Sequence, residues 1–116
     1  MYEFDCTFCQ IISGDRQAEI VYQDEQVVAF KDIHPKAPWH ILVVPRDHIE
    51  SLNDAAPRDE ALLGHLLRIA SKVANAVGIA DEGYRVVINT GPNAGQSIFH
   101  LHVHVLGGRV LGWPPG

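Results

Sequence analysis

The chain has 116 residues, 47% hydrophobic and 20% charged, which suits one compact domain over residues 1–116 and excludes a disordered chain. With 14 acidic against 9 basic residues the formal charge is −5, so sequence-independent binding to DNA or RNA is not expected. No apolar run reaches the length of a membrane span, and the opening MYEFDC lacks the basic-then-apolar pattern of a signal peptide; the expectation is a cytoplasmic protein with no membrane partner.

Cys6 to Ser13 reads as a short helix stopped by Gly14. Ile20 to Gln23 and Val27 to Phe30 read as a hairpin around Asp24-Glu25. Pro35 and Pro38 exclude helix from Asp32 to Pro38, an irregular loop. Ile41 to Val44 is a continuous apolar run ended by Pro45, the pattern of a central strand. One long helix is predicted from Pro57 to Val77. Pro57 suits a first turn, and Asp59 and Glu60 favour the positive end of the helix dipole. Leu62, Leu63, Leu66, Ile69, Ala70, Val73 and Val77 recur at helical spacing, opposite a wet face of Arg68, Ser71, Lys72 and Asn75. Tyr84 to Asn89 reads as a strand, Thr90 to Ser97 as a small, polar loop, and Phe99 to Leu106 as the last strand; the tail WPPG is irregular. The predicted class is α+β, a mostly antiparallel five-stranded sheet with one long and one short helix. The long helix must cover one face and leave the other to a ligand.

Three of the seven histidines fall within five residues, His100, His102 and His104, separated by Leu101 and Val103. On a strand all three imidazoles project from one face, while Leu101, Val103 and Val105 pack behind. Imidazole titrates near neutral pH and can act as donor, acceptor, acid or nucleophile, including toward phosphorus. The preceding loop supplies Gly91 and Gly95, which let backbone approach closely, and the Ser97 hydroxyl; it lacks the Lys-Ser/Thr ending of a P-loop. Two other readings stay open: a metal site built on two histidines at i and i+2, and a plain polar strand face. His34 is expected to be exposed, and His65, near Arg68 and Lys72, solvated. His40 adjoins the apolar strand and can be a half-buried histidine. Asp32 alone can be a turn residue, Asn89 and Ser97 loop caps, and Phe8 and Ile11 plain core.

Cys6 and Cys9, the only cysteines, form a CxxC. A redox motif of this kind should follow a strand, and only five residues precede Cys6. Two unrelated buried thiols, or half of a tetrahedral zinc site completed by histidines, remain.

At these residues the sequence resembles the histidine-triad family, whose signature alternates three histidines with apolar residues, here HLHVHVL. The resemblance covers nearly the whole chain: FKDIHPKAPWHILVVPRDHI and GYRVVINTGPNAGQSIFH fit in order and spacing, and LGGRVLGWPPG resembles the Hint branch. It implies a hydrolase that cleaves purine nucleoside 5′-phosphoramidates or aminoacyl adenylates through a nucleotidyl-histidine. His102 would be the nucleophile, His104 would hydrogen-bond the α-phosphate or orient the site, and His40 would complete the polar network. Asp32 would hold the ribose hydroxyls with Ile33 against the base. Asn89, Gly95 and Ser97 would contact the phosphate and leaving group, and Phe8 and Ile11 would line the base pocket. Zinc-bearing members of the superfamily imply a structural zinc ion on Cys6, Cys9, His48 and His100. The ligand would be an AMP- or GMP-type purine nucleotide, and the protein a homodimer with its tail near the partner's site. The sequence departs from the family pattern at Trp39, often a small residue, and at Arg16, often aliphatic, which bears on base selectivity. Alternatives are a dinucleoside polyphosphate hydrolase of the fragile-histidine-triad branch, against which WPPG argues, and a non-catalytic nucleotide-binding module. A metal-dependent β-barrel enzyme using an HxH pair would need an all-β chain, against which the long helix argues.

Overall fold

The computed structural model describes residues 2–116. Its strands are β1 (Ile20–Gln23), β2 (Val27–Lys31), β3 (Trp39–Pro45), β4 (Tyr84–Val87) and β5 (Val103–Gly107). They form one antiparallel sheet in the order β1-β2-β3-β5-β4. With a short helix α1 (Thr7–Ser13) and a long helix α2 (Glu60–Ala76), this is the α+β arrangement that the pattern of elements predicts.

Alternation along β2, β3 and β5 divides the interior into two layers. Val27 and Ala29, Ile41 and Val43, and Leu101, Val103 and Val105 face α2, which presents Leu66, Ile69, Ala70, Val73 and Ala74 at helical spacing. Burying each of the larger side chains contributes roughly 1.5–3 kcal/mol, so this layer anchors the sheet. On the other face Val28, Phe30, Leu42 and Val44 meet Phe8 and Ile11 of α1. The seven-residue α1 covers only part of that face: His100 is buried against it, and His40, His102 and His104 line the cleft beside it. No helix among the described residues is long and apolar enough to cross a membrane.

Several boundaries differ from the sequence reading. Cys6 caps α1, its sulfur accepting the Cys9 N–H at 3.3 Å, and Gly14 closes the helix in the left-handed region at φ 88°. Pro57–Asp59 is a 3-10 turn ahead of α2, and the helix proper ends at Ala76. β3 begins two residues early, at Trp39, and so includes His40; it runs through Pro45, while β4 stops at Val87, short of Asn89. The last strand starts at Val103, not at Phe99. Its final pair on β3 is Val43 with Val103, and the Leu101 N–H leaves the sheet for the Ile49 carbonyl, 2.6 Å away. Only His104 of the triad therefore lies within a strand. His65 is not simply solvated: its Nε2 lies 2.7 Å from Asp24 Oδ2, joining α2 to the β1–β2 turn. Burial alone would raise the Asp24 pKa; hydrogen bonds from His65, the Gln26 and Val27 amides and the Tyr22 hydroxyl outweigh it and hold the carboxyl well below the usual range.

Candidate functional site

The alternation of faces continues ahead of β5. His100 and His102 stay on the α1 side with His104, while Leu101 and Val103 stay in the α2 layer. Phe8 packs edge-on against both rings, 5.9 Å from His100 and 5.0 Å from His102 between centroids. His40 enters from the neighbouring strand, where it pairs with Leu106 and precedes the pair Leu42–His104 by two positions.

Each ring's hydrogen bonds assign its tautomer. The Lys36 amide can only donate, so His40 Nδ1 accepts from it at 3.1 Å. Burial lowers the His40 pKa, opposed by the Asp32 carboxylate, so the neutral ring carries its proton on Nε2. That Nε2–H lies 2.9 Å from His104 Nδ1 and 3.5 Å from Asp32 Oδ2. His104 then holds its proton on Nε2, a buried atom with no hydrogen-bond partner among the described residues. Burial, then the neighbouring His102 and His40, push the His104 pKa down to about 4. His102 donates from Nδ1 to the His100 carbonyl at 2.6 Å. Burial lowers its pKa also, against that bond and the Asp32 charge. Its Nε2 is thus an unprotonated lone pair at neutral pH.

These histidines line a cleft of about 690 Å³ with Phe8, Ile11, Asp32, Ile33, Asn89, Gly95 and Ser97. All the residues predicted for the nucleotide and catalytic positions therefore come together in one place. The volume lies in the range of small-molecule sites, about 300–1,000 Å³. Its lining combines apolar side chains, Phe8, Ile11 and Phe30, with polar ones, His40, His102, His104, Asn89 and Ser97. Asp32 Oδ1 is engaged by the His34 amide at 2.8 Å, which fixes the carboxylate at the rim.

A second cluster sits beside the first. Cys6 Sγ lies 3.4 Å from His100 Nδ1, and Cys9 Sγ lies 3.4 Å from His48 Nδ1 and 3.6 Å from His100 Nδ1. The four ligand atoms all fall within 4.8 Å of one another, a donor set able to hold a metal ion. His100 donates its Nε2–H to the Pro45 carbonyl at 2.8 Å, which leaves Nδ1 bare toward the cysteines. Burial pushes its pKa down to about 4. Asp32, His40 and His104 also converge. Two nitrogens bound at about 2.05 Å to a tetrahedral ion stand about 3.3 Å apart, so the 2.9 Å between His40 and His104 reads as a hydrogen bond.

The profile described as HIT domain matches residues 13–111. The chain belongs to the HIT family. A HIT-like protein of Synechocystis is 50% identical over 112 residues, 97% of each chain. The crystal structure of a HIT family hydrolase from Legionella pneumophila superimposes with a TM-score of 0.94 at 44% identity, covering 97% of this chain and 100% of that one. A Zn-bound histidine triad family protein from Mycobacterium smegmatis has a TM-score of 0.78 at 34% identity, covering 90% and 76%.

Within this HIT fold, Gly91 and Gly95 flank the 3-10 turn Pro92–Ala94 with φ 81° and 84°, backbone conformations that favour glycine. One sequence-based assignment changes. Trp39 lies outside the cleft; it is on the opposite face from His40, packs beside the α2 layer and carries Lys31 over its ring. Sequence reasoning also missed Gln96. Its buried amide accepts the Gly91 N–H at 3.0 Å and donates to the Glu50 and Ile98 carbonyls, so it shapes the loop that presents Gly95 and Ser97. Its partner at Glu50 is distant in sequence, and no local pattern signals it.

Proposed function

We propose that this HIT hydrolase belongs to the Hint-like branch and cleaves purine nucleoside 5′-phosphoramidates or aminoacyl adenylates. The observation that carries the reading is the His102 tautomer: Nδ1–H is tied to a backbone carbonyl and the ring is kept neutral, so Nε2 is a ready nucleophile. In the first step a bond forms from His102 Nε2 to the α-phosphorus and the bond to the amine or carboxylate breaks. An amine leaving group takes a proton from the neighbourhood of Ser97 and His104, while a carboxylate departs as the anion. Water then attacks phosphorus, the bond to His102 Nε2 breaks, the water's proton returns to that neighbourhood or passes to solvent, and the 5′-monophosphate and neutral His102 are released. The unpartnered His104 Nε2–H is a donor for a phosphoryl oxygen, Asp32 receives the ribose hydroxyls, and Phe8, Ile11 and Ile33 contact the base.

The second cluster is read as a structural zinc site. A tetrahedral zinc with sulfur at about 2.3 Å and nitrogen at about 2.05 Å gives S···N edges of about 3.5 Å, against 3.4–3.6 Å here. The Zn-bound relative supports that choice of metal. Such an ion would tie α1 to the segment that presents His102. We place the protein in the cytoplasm as a homodimer. The unpaired edge of β4 and the exposed Trp113 of the tail offer surfaces for a second copy.

Intact mass spectrometry tests the chemistry. Wild type and His102→Ala are mixed briefly with adenosine or guanosine 5′-phosphoramidate and quenched without acid. A transient nucleotidyl adduct on wild type alone is expected, with turnover of the variant lower by at least about a thousandfold and monophosphate binding largely kept. No adduct and no monophosphate release over hours would reject the hydrolase reading.

A further inference from the structure

We infer that Arg16 makes the base end of the cleft selective for 6-oxopurines, guanine and hypoxanthine, over adenine. The inference rests on the reading of this cleft as a nucleotide site. Three cations line the cleft: Arg16, Lys31 and Lys36. Lys31 is paired with Glu19 at 2.7 Å and Lys36 donates to the His34 carbonyl at 2.8 Å. Arg16 has no ion-pair partner among the described residues. Its Nε donates to Gln10 Oε1 at 3.0 Å, and Gln10 is itself oriented by donating from Nε2 to the Phe4 carbonyl at 3.0 Å. The guanidinium is thus held by α1, with both terminal amino groups unpartnered among the described residues.

Its place relative to α1 fixes what it can meet. Phe8, in the first turn of α1, packs edge-on against His102, whose Nε2 is the proposed nucleophile. The helix runs on from Phe8 to Ser13, about 7.5 Å at 1.5 Å per residue, before Gly14 turns the chain to Arg16. Arg16 thus lies past the C-terminal end of α1, its amide donating to the Gln10 carbonyl at 3.2 Å, and lines the cleft together with Ile11 and Ala18. A guanidinium offers only donors. A 6-oxopurine presents two adjacent acceptors, O6 and N7, which a guanidinium engages through two parallel bonds; adenine replaces O6 with an amino donor that opposes it. Such a pair discriminates by about fivefold to a hundredfold, and exposure of Arg16 to solvent places the expected ratio near about tenfold.

The test is calorimetric binding of IMP and AMP, which differ only in the 6-position and its linked ring proton, to wild type, Arg16→Leu and Arg16→Lys. Wild type is expected to bind IMP about tenfold more tightly than AMP. The ratio should fall to within about twofold of unity in Arg16→Leu and take an intermediate value in Arg16→Lys, which keeps the charge but loses the fork. Equal or tighter binding of AMP by wild type, an IMP preference unchanged in Arg16→Leu, or no binding of either nucleotide would overturn the inference. Hydrolysis of the two matching phosphoramidates is followed in parallel. Binding selectivity without turnover would reject the hydrolase reading and leave the role of Arg16 standing.

Discussion

His100 and His102 are two residues apart, both buried and both held neutral, yet they expose opposite ring nitrogens. His100 gives its Nε2 proton to the Pro45 carbonyl and turns Nδ1 toward two sulfurs. His102 gives its Nδ1 proton to the His100 carbonyl and leaves Nε2 bare. Burial explains why both rings are neutral; it does not explain which nitrogen is free. The carbonyl that accepts the ring proton makes that choice. One segment thereby serves two chemistries, and the His100 residue takes part in both, through its side chain in one and its backbone oxygen in the other.

The separation of the two ends can be broken from the metal side. His48→Ala removes a donor without touching either carbonyl. Bound zinc should fall from one per chain to none by elemental analysis. Stability should drop by about 4 kcal/mol where the ion is supplied at about a thousand times its dissociation constant, read as a lower Tm. Hydrolysis at 25 °C should stay within severalfold of wild type, because the His100 carbonyl still orients His102. A collapse of turnover comparable to that of His102→Ala would contradict the division.

A smaller effect sharpens the catalytic side. The His104 pKa lies near 4 in the folded chain and near 6.5 unfolded. Above pH 6.5 the ring is neutral in both states and pH has no effect. As pH falls from 6.5 toward 4 the unfolded chain takes up the proton first, so stability is lost over that window, by about 3 kcal/mol from this group. Urea denaturation of metal-free protein from pH 8 to pH 4.5 measures it: His104→Gln should make the profile shallower by its own share and leave the part carried by His40, His100 and His102, whose pKa values burial also lowers.

Much of this arrangement is legible in the chain because the alternation of faces reads directly from residue spacing. The histidine row keeps one face although its first two members precede the strand, and the periodicity of α2 identifies the residues that cover the other face. The same alternation puts Trp39 opposite His40, and so outside the cleft, a reading the sequence permits once His40 faces the ligand. What escaped depends on partners distant along the chain. The His65–Asp24 contact spans 41 residues, Gln96 reaches Glu50 46 residues away, and the start of β5 is decided by the bond from Leu101 to Ile49. Local propensity carries no signal for any of them.

The central claim is the assignment of ring protons, and long-range nitrogen–proton correlation NMR on uniformly ¹⁵N-labelled protein at pH 7.5 reads it directly. Among His40, His100, His102 and His104, His102 alone should appear as the Nδ1–H tautomer, with the other three protonated on Nε2. Finding His102 protonated on Nε2, or charged, would contradict the account, since no lone pair would then be free for phosphorus.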